Sequence, residues 1–289
     1  MTTREMTRDI TYSTSARTRS GRALIRMLEN TTGRLSLIRR AQGYEDQIAQ
    51  GTPFWDVMVE RYGISLDIVG GSLSNIPANG PLIVIANHPY GILDGLILGH
   101  ILQRARGDFR LLANSVFCKA AEINKVLLPI SFDATKEATR INVETRAKAL
   151  KYLADGGAIG VFPGGTVSTA ATPFGQPMDP SWRNFTARMI AKSNATIVPV
   201  FFDGQNSRLF QLASHLNYNL RLALLLKEFH ARTDTPVRIV IGKPISRDTL
   251  GSDATAMMES LRRATYALSP RPLRTYDPGY EFEERYKTR

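Results

Sequence analysis

The chain is poor in the residues that build disulfides, metal sites and membrane spans. Its 289 residues include one cysteine, Cys118, which excludes an intrachain disulfide framework and a cysteine-based metal pattern, and favours the cell interior. Set beside Val116 and Phe117, Cys118 reads as a small apolar residue rather than a nucleophile. The four histidines (His88, His100, His215 and His230) are scattered with no HExxH spacing, so no metal site is indicated. No apolar run reaches the roughly 18 residues of a membrane-spanning helix, so any membrane contact is peripheral. Residues 1–14 lack the apolar stretch of a signal peptide, and an Arg-rich organellar presequence is only a minor alternative. No Gly-x-Ser-x-Gly elbow announces a covalent serine nucleophile. No nucleic-acid-binding motif is present and no aromatic residues interleave with the arginines, so a nucleic-acid partner is not expected.

Charge is plentiful but one-sided. Residues 1–40 carry nine arginines, no lysine and three acids, more than half of the net charge of +11. Within them Ala23, Leu24, Met27 and Leu28 recur at helical spacing while Arg22, Arg26 and Glu29 face elsewhere. Two readings are open: a basic amphipathic helix on an anionic membrane surface, or an ordinary helix packed on the domain with its arginines in water.

From residue 64 onward short apolar runs alternate with helical patterns. Strands are expected at 64–68, 82–86, 109–113, 126–132, 158–162, 196–202 and 237–241. Helices are expected at 92–102, 141–154, 182–192, 207–229 and 254–268. The order predicts an α/β fold, a largely parallel central sheet flanked by helices. Residues 1–60 form a basic helical N-terminal preface, 61–268 the α/β domain and 269–289 a tail over its surface.

Two turns carry chemistry. The buried run 82–86 leads directly into Asn87-His88-Pro89-Tyr90-Gly91-Ile92-Leu93-Asp94-Gly95, at the carboxyl end of a strand where open α/β sheets place their sites. A neutral imidazole there can take a proton, and a carboxylate can fix its tautomer and stabilise the cation formed. The bland alternative is a surface histidine followed by a helix-capping aspartate. The second turn, Phe162-Pro163-Gly164-Gly165-Thr166-Val167-Ser168, puts two glycines at a strand exit, where backbone N–H groups can approach an oxyanion or phosphate.

With the apolar Ile197-Val198-Pro199-Val200, these turns follow one another as in the lysophospholipid acyltransferase superfamily, which the chain resembles over residues 64–245. That superfamily carries an Asn-His-x4-Asp block, a Phe-Pro-x-Gly-Thr block and a Val-Pro strand. Asp203-Gly204-Gln205-Asn206-Ser207-Arg208-Leu209-Phe210 further resembles the hemolysin-labelled subfamily, which includes bacterial aminolipid O-acyltransferases. Two departures matter. Five residues separate His88 from Asp94 instead of four, so the turn must absorb one more. Ala134 and Val167 stand where the superfamily carries arginines that clamp a glycerol phosphate, which argues against a phosphomonoester acceptor.

The resemblance implies an O-acyltransferase of bacterial membrane lipid synthesis, moving a fatty acyl group from acyl-CoA or acyl carrier protein to the hydroxyl of a lyso-aminolipid. No cofactor is implied beyond that thioester co-substrate. His88 would be the base and Asp94 its orienter. Asn87 and Ser168 would support the loops and, with Phe162 and Pro163, form part of the substrate site, while the N–H groups of Gly164, Gly165 and Thr166 would hold the oxyanion. Arg208 would contact the anionic head group, with Lys119 and Arg140 as weaker alternatives. The expected setting is peripheral, on the cytoplasmic face of the inner membrane. A lysophospholipid or 1-acylglycerol-phosphate acyltransferase, and a non-catalytic lipid-binding or membrane-perturbing protein, are the rival readings.

Overall fold

The computed structural model describes residues 10–16, 18–114, 121–131 and 135–282. Cys118, Lys119 and Ala134 lie outside the described residues. Four helices open the chain: α1 (Arg19–Thr31), α2 (Arg34–Ala41), α3 (Tyr44–Ala49) and α4 (Phe54–Arg61). Then follow β1 (Ser65–Gly70), β2 (Leu82–Ala86), α5 (Ile92–Arg106), β3 (Arg110–Asn114), α6 (Ala121–Val126), β4 (Leu127–Ile130), α7 (Lys136–Ala154) and β5 (Ala158–Val161). A short hairpin, β6 (Thr169–Ala170) and β7 (Pro177–Met178), precedes α8 (Asn184–Ile190), β8 (Thr196–Phe202), α9 (Arg208–Leu216), α10 (Tyr218–His230), β9 (Pro236–Ile241) and α11 (Ala254–Tyr266).

Seven strands form one sheet in the order β1-β9-β8-β2-β5-β3-β4, all neighbours parallel except the antiparallel pair β8 and β9. β2 and β8 lie at its centre, which is why both read as unbroken apolar runs: every residue of β2 is buried. β1 is an edge, and its alternation of polar and half-buried residues reflects one exposed face. The central order places the ends of β2, β5 and β8 side by side at one edge of the sheet. The catalytic turns expected from the sequence therefore share that edge.

Boundaries moved where side chains outvoted periodicity. The helix expected at 141–154 begins at Lys136, because the Thr135 hydroxyl accepts from the Ala138 N–H and caps it. The helices expected within 207–229 are two, divided at Asn217, whose extended backbone and side chain cap α10. The strand expected at 126–132 is shorter and follows α6 directly.

The preface packs on the domain by a face other than the one the sequence suggested. α1 lies on α10 and buries Gly21, Ile25 and Glu29. Ala23, Leu24 and Met27 of the expected apolar face point outward, Met27 being 56% exposed, and Leu28 is half-buried. The reason is residues 10–16, which fold back over α1: the Tyr12 N–H and the Thr11 hydroxyl donate to the Glu29 carboxylate. Burial raises the pKa of Glu29 against those bonds.

Candidate active site

β2 delivers Asn87 and His88 to the sheet edge, and α5 starts four residues after His88. Asn87 is buried and tied to β8 by a reciprocal pair: its Nδ2 donates to the Phe202 carbonyl (3.0 Å) and its Oδ1 accepts from the Phe202 N–H (2.7 Å). That pair fixes where the chain leaves the sheet. The extra residue of the turn is absorbed at Gly91, whose φ of +84° and ψ of −121° few side chains tolerate. Asp94, at the third helical position, turns back into the loop, where its Oδ2 accepts from the N–H groups of Tyr90 (2.7 Å) and Gly91 (3.0 Å).

The same oxygen lies 2.9 Å from Nδ1 of His88. Five intervening residues thus still bring the carboxylate and the imidazole together. Asp94 is fully buried, and burial raises its pKa although His88 and the two N–H groups pull the other way. The His88 ring stacks on Phe162 at a centroid distance of 4.3 Å, and the side chain keeps 18% of its surface. With Nδ1 turned to Asp94, Nε2 is the nitrogen left to take a proton.

The glycine turn stands opposite. Gly165, at a φ of +70°, donates its N–H to the Phe162 carbonyl (3.1 Å), so it closes the turn and is not an oxyanion donor. The N–H groups of Gly164 and Thr166 have no acceptor among the described residues. Pro163 accepts from the Arg183 N–H (2.9 Å), which fastens the turn to the start of α8. Ser168 is buried; its N–H donates to the His88 carbonyl (2.8 Å) and its hydroxyl to Asp179.

Two residues escaped the sequence reading. Asp179, fully buried after β7, accepts from the His88 N–H (3.1 Å), the Ser168 hydroxyl and Trp182 Nε1 (2.9 Å), so one carboxylate joins both catalytic turns. Arg221 of α10 is the second. Its guanidinium donates to Thr166 Oγ1 (3.1 Å), the Val167 carbonyl (2.8 Å), Thr169 Oγ1 (2.6 Å) and Ser214 Oγ (3.0 Å), between the rings of Phe210 and Phe282. No carboxylate lies within ion-pair distance of it among the described residues, and burial lowers its pKa to about 10.

Arg208 is not brought to the dyad. Its guanidinium donates to the Gly175 carbonyl (3.1 Å) at the tip of the β6–β7 hairpin, on the exposed side of α9. Arg140 lies on the surface of α7 between Glu137 and Glu144.

A histidine poised by a buried carboxylate, facing a turn with open backbone N–H groups, is what direct transfer of an acyl group to a hydroxyl requires. The chain belongs to the Acyltransferase family, which it matches over residues 51–271, and is an acyltransferase. Two lyso-glycine lipid O-acyltransferases are similar to it. That of Phocaeicola vulgatus is 25% identical over 212 residues, 71% of this chain and 73% of its own. That of Bacteroides thetaiotaomicron is 23% identical over 71% of this chain and 75% of its own. Among solved structures, the 1-acyl-sn-glycerophosphate acyltransferase PlsC of Thermotoga maritima covers 91% of this chain and 87% of its own, at 19% identity and a TM-score of 0.45.

Proposed function

We propose that the protein acylates the hydroxyl of a lyso-aminolipid, a lyso-glycine lipid in the first instance, using a fatty acyl thioester of CoA or acyl carrier protein. The observation that carries the chemistry is the His88–Asp94 pair at 2.9 Å beside the Gly164–Thr166 turn. The names of the two similar enzymes support the acceptor class. In this scheme Nε2 of His88 takes the proton of the acceptor hydroxyl as its oxygen bonds to the thioester carbonyl carbon. The carbonyl oxygen, now an anion, is held by the N–H groups of Gly164 and Thr166. When the carbon–sulfur bond breaks, the imidazolium returns the proton to the departing thiolate.

We further place the enzyme at an anionic membrane surface, on the cytoplasmic face of the inner membrane. Among the described residues no helix is long and apolar enough to cross a bilayer. The outward Leu24 and Met27 of α1, beside the arginines of the preface, support contact by one face.

The test is turnover of a lyso-glycine lipid and of lysophosphatidic acid, side by side, with each thioester donor. The lyso-glycine lipid should be the faster acceptor. His88→Ala should lose about 10²- to 10⁴-fold in rate while melting at the wild-type temperature. Faster use of lysophosphatidic acid would replace the acceptor assignment, and acyl transfer retained by His88→Ala would remove the base.

A further inference from the structure

Beside the catalytic turn lies a cleft of about 490 Å³ that the mechanism does not use. It opens over the ends of β8 and β2 and the start of β9, and residues 269–273 and the β7 side of the hairpin form its far wall. Asn87 and Pro89, the sequence neighbours of His88, both line it, while the imidazole itself lies outside the lining. Three arginines, Arg232, Arg238 and Arg271, face a single lining carboxylate, Asp203.

Their pairing leaves a surplus of positive charge. Asp203 Oδ2 lies 3.1 Å from Arg238 and 3.7 Å from Arg271, and Arg238 also leans on the exposed Asp67 at 3.7 Å. Arg232 has no carboxylate within ion-pair distance among the described residues. Its guanidinium stacks on the Tyr90 ring at 4.8 Å and gives one N–H to the Gln205 carbonyl (3.0 Å). The Tyr90 hydroxyl rests on Gly204, where any β-carbon would collide with it. The platform under Arg232 is therefore fixed by packing. Arg221, by contrast, spends four hydrogen bonds on Thr166, Val167, Thr169 and Ser214, and Arg208 stands outside the cleft.

We infer that this cleft seats the carboxylate of the acceptor head group, with Arg232 and Arg238 as its cationic contacts; the inference rests on the function proposed above. The surplus suits one negative charge, not the several phosphate charges of a coenzyme A donor. Met178, Phe201 and Leu273 in the wall suit the hydrocarbon part of an amphiphile. A glycine-type head group held there would present a hydroxyl further along its chain to His88.

The probes are N-dodecanoylglycine, which has the carboxylate but no hydroxyl to acylate, its uncharged methyl ester, and free coenzyme A. Binding of each to the full chain is measured by calorimetry in wild type, Arg232→Gln and Arg232→Gln/Arg238→Gln, with melting curves to verify folding. Wild type should bind the acid about tenfold or more tightly than the ester. Both variants should lose that preference while binding the ester and coenzyme A as before. Arg232→Gln keeps the Asp203–Arg238 pair, so it remains informative should the double variant unfold. Equal affinity of wild type for acid and ester, a preference that survives Arg232→Gln, or variants that weaken coenzyme A instead would each overturn the inference. Because binding is read without turnover, an acid preference with no acylation of any lyso-aminolipid would leave the site standing and remove the proposed function. Acylation without the preference would do the reverse.

Discussion

At the scale of single residues, the proposed mechanism has Asp94 trade stability for chemistry. Its carboxylate is fully buried with a raised pKa, so the charged form that orients His88 is held against the preference of its surroundings. Asp94→Asn keeps an oxygen for the Tyr90 and Gly91 N–H groups and removes the buried charge. With that same oxygen still facing His88 Nδ1, the uncharged amide holds the ring but stabilises the imidazolium far less than a carboxylate does. Acyl transfer should fall about 10²- to 10⁴-fold, while the variant melts at or above the wild-type temperature at pH 7. The sign follows from proton linkage: as pH falls through the raised pKa of Asp94, native wild type takes up a proton before the unfolded chain does and gains stability. The advantage of the variant should therefore shrink between pH 7 and pH 4. A variant less stable than wild type at pH 7 would mean that the charge is net stabilising.

At the scale of elements, what was legible in the chain was whatever repeats locally. β2, β5 and β8 are bounded apolar runs, and β8 matches its expected limits. The His88 turn was legible because strand, histidine and carboxylate follow one another in sequence. Asp179 was not, because two of its partners, His88 and Ser168, come from turns 91 and 11 residues away, and only Trp182 lies near it in sequence. Arg221 left a faint trace: it sits four residues before the buried Leu225, on the inward face of α10, where an arginine needs a reason. Its reason here is the turn it fastens. Arg221→Met removes the fork and strands several acceptors, which costs about 1–3 kcal/mol, offset because a buried cation without a carboxylate is also released from a desolvated site. The expected result is a modest change in melting temperature with at least a tenfold drop in kcat and little change in the KM for the thioester. Arg221→Lys should recover only part of the rate, since an ammonium cannot reproduce the fork. A KM effect without a kcat effect would assign Arg221 to binding instead.

At the scale of the whole molecule, the N-terminal preface belongs to the domain. Tyr12, Ile25 and Leu37 are buried, and the Arg40 guanidinium pairs with Asp234 across 194 residues of sequence. Deleting the first 40 residues would strip apolar surface from the core, so it is a poor test of membrane contact. Leu24→Asp with Met27→Asp alters only outward side chains. The double variant should melt like wild type, yet lose co-sedimentation with anionic vesicles, and wild-type binding should weaken as salt screens the arginines. Undiminished sedimentation would move the contact elsewhere. The strand order also has a consequence in time. Among the described residues β1 pairs only with β9, so a strand complete at residue 70 has no partner until residue 241 has been made. At roughly 5–20 residues per second, synthesis leaves that interval open for about ten to thirty seconds. Through most of it the wholly apolar β2 also lacks β8, and the Asn87–Phe202 clasp that sets the catalytic turn is absent. The catalytic edge is therefore among the last parts of the molecule to exist, and the growing chain must stay soluble until then with its most adhesive strand half paired.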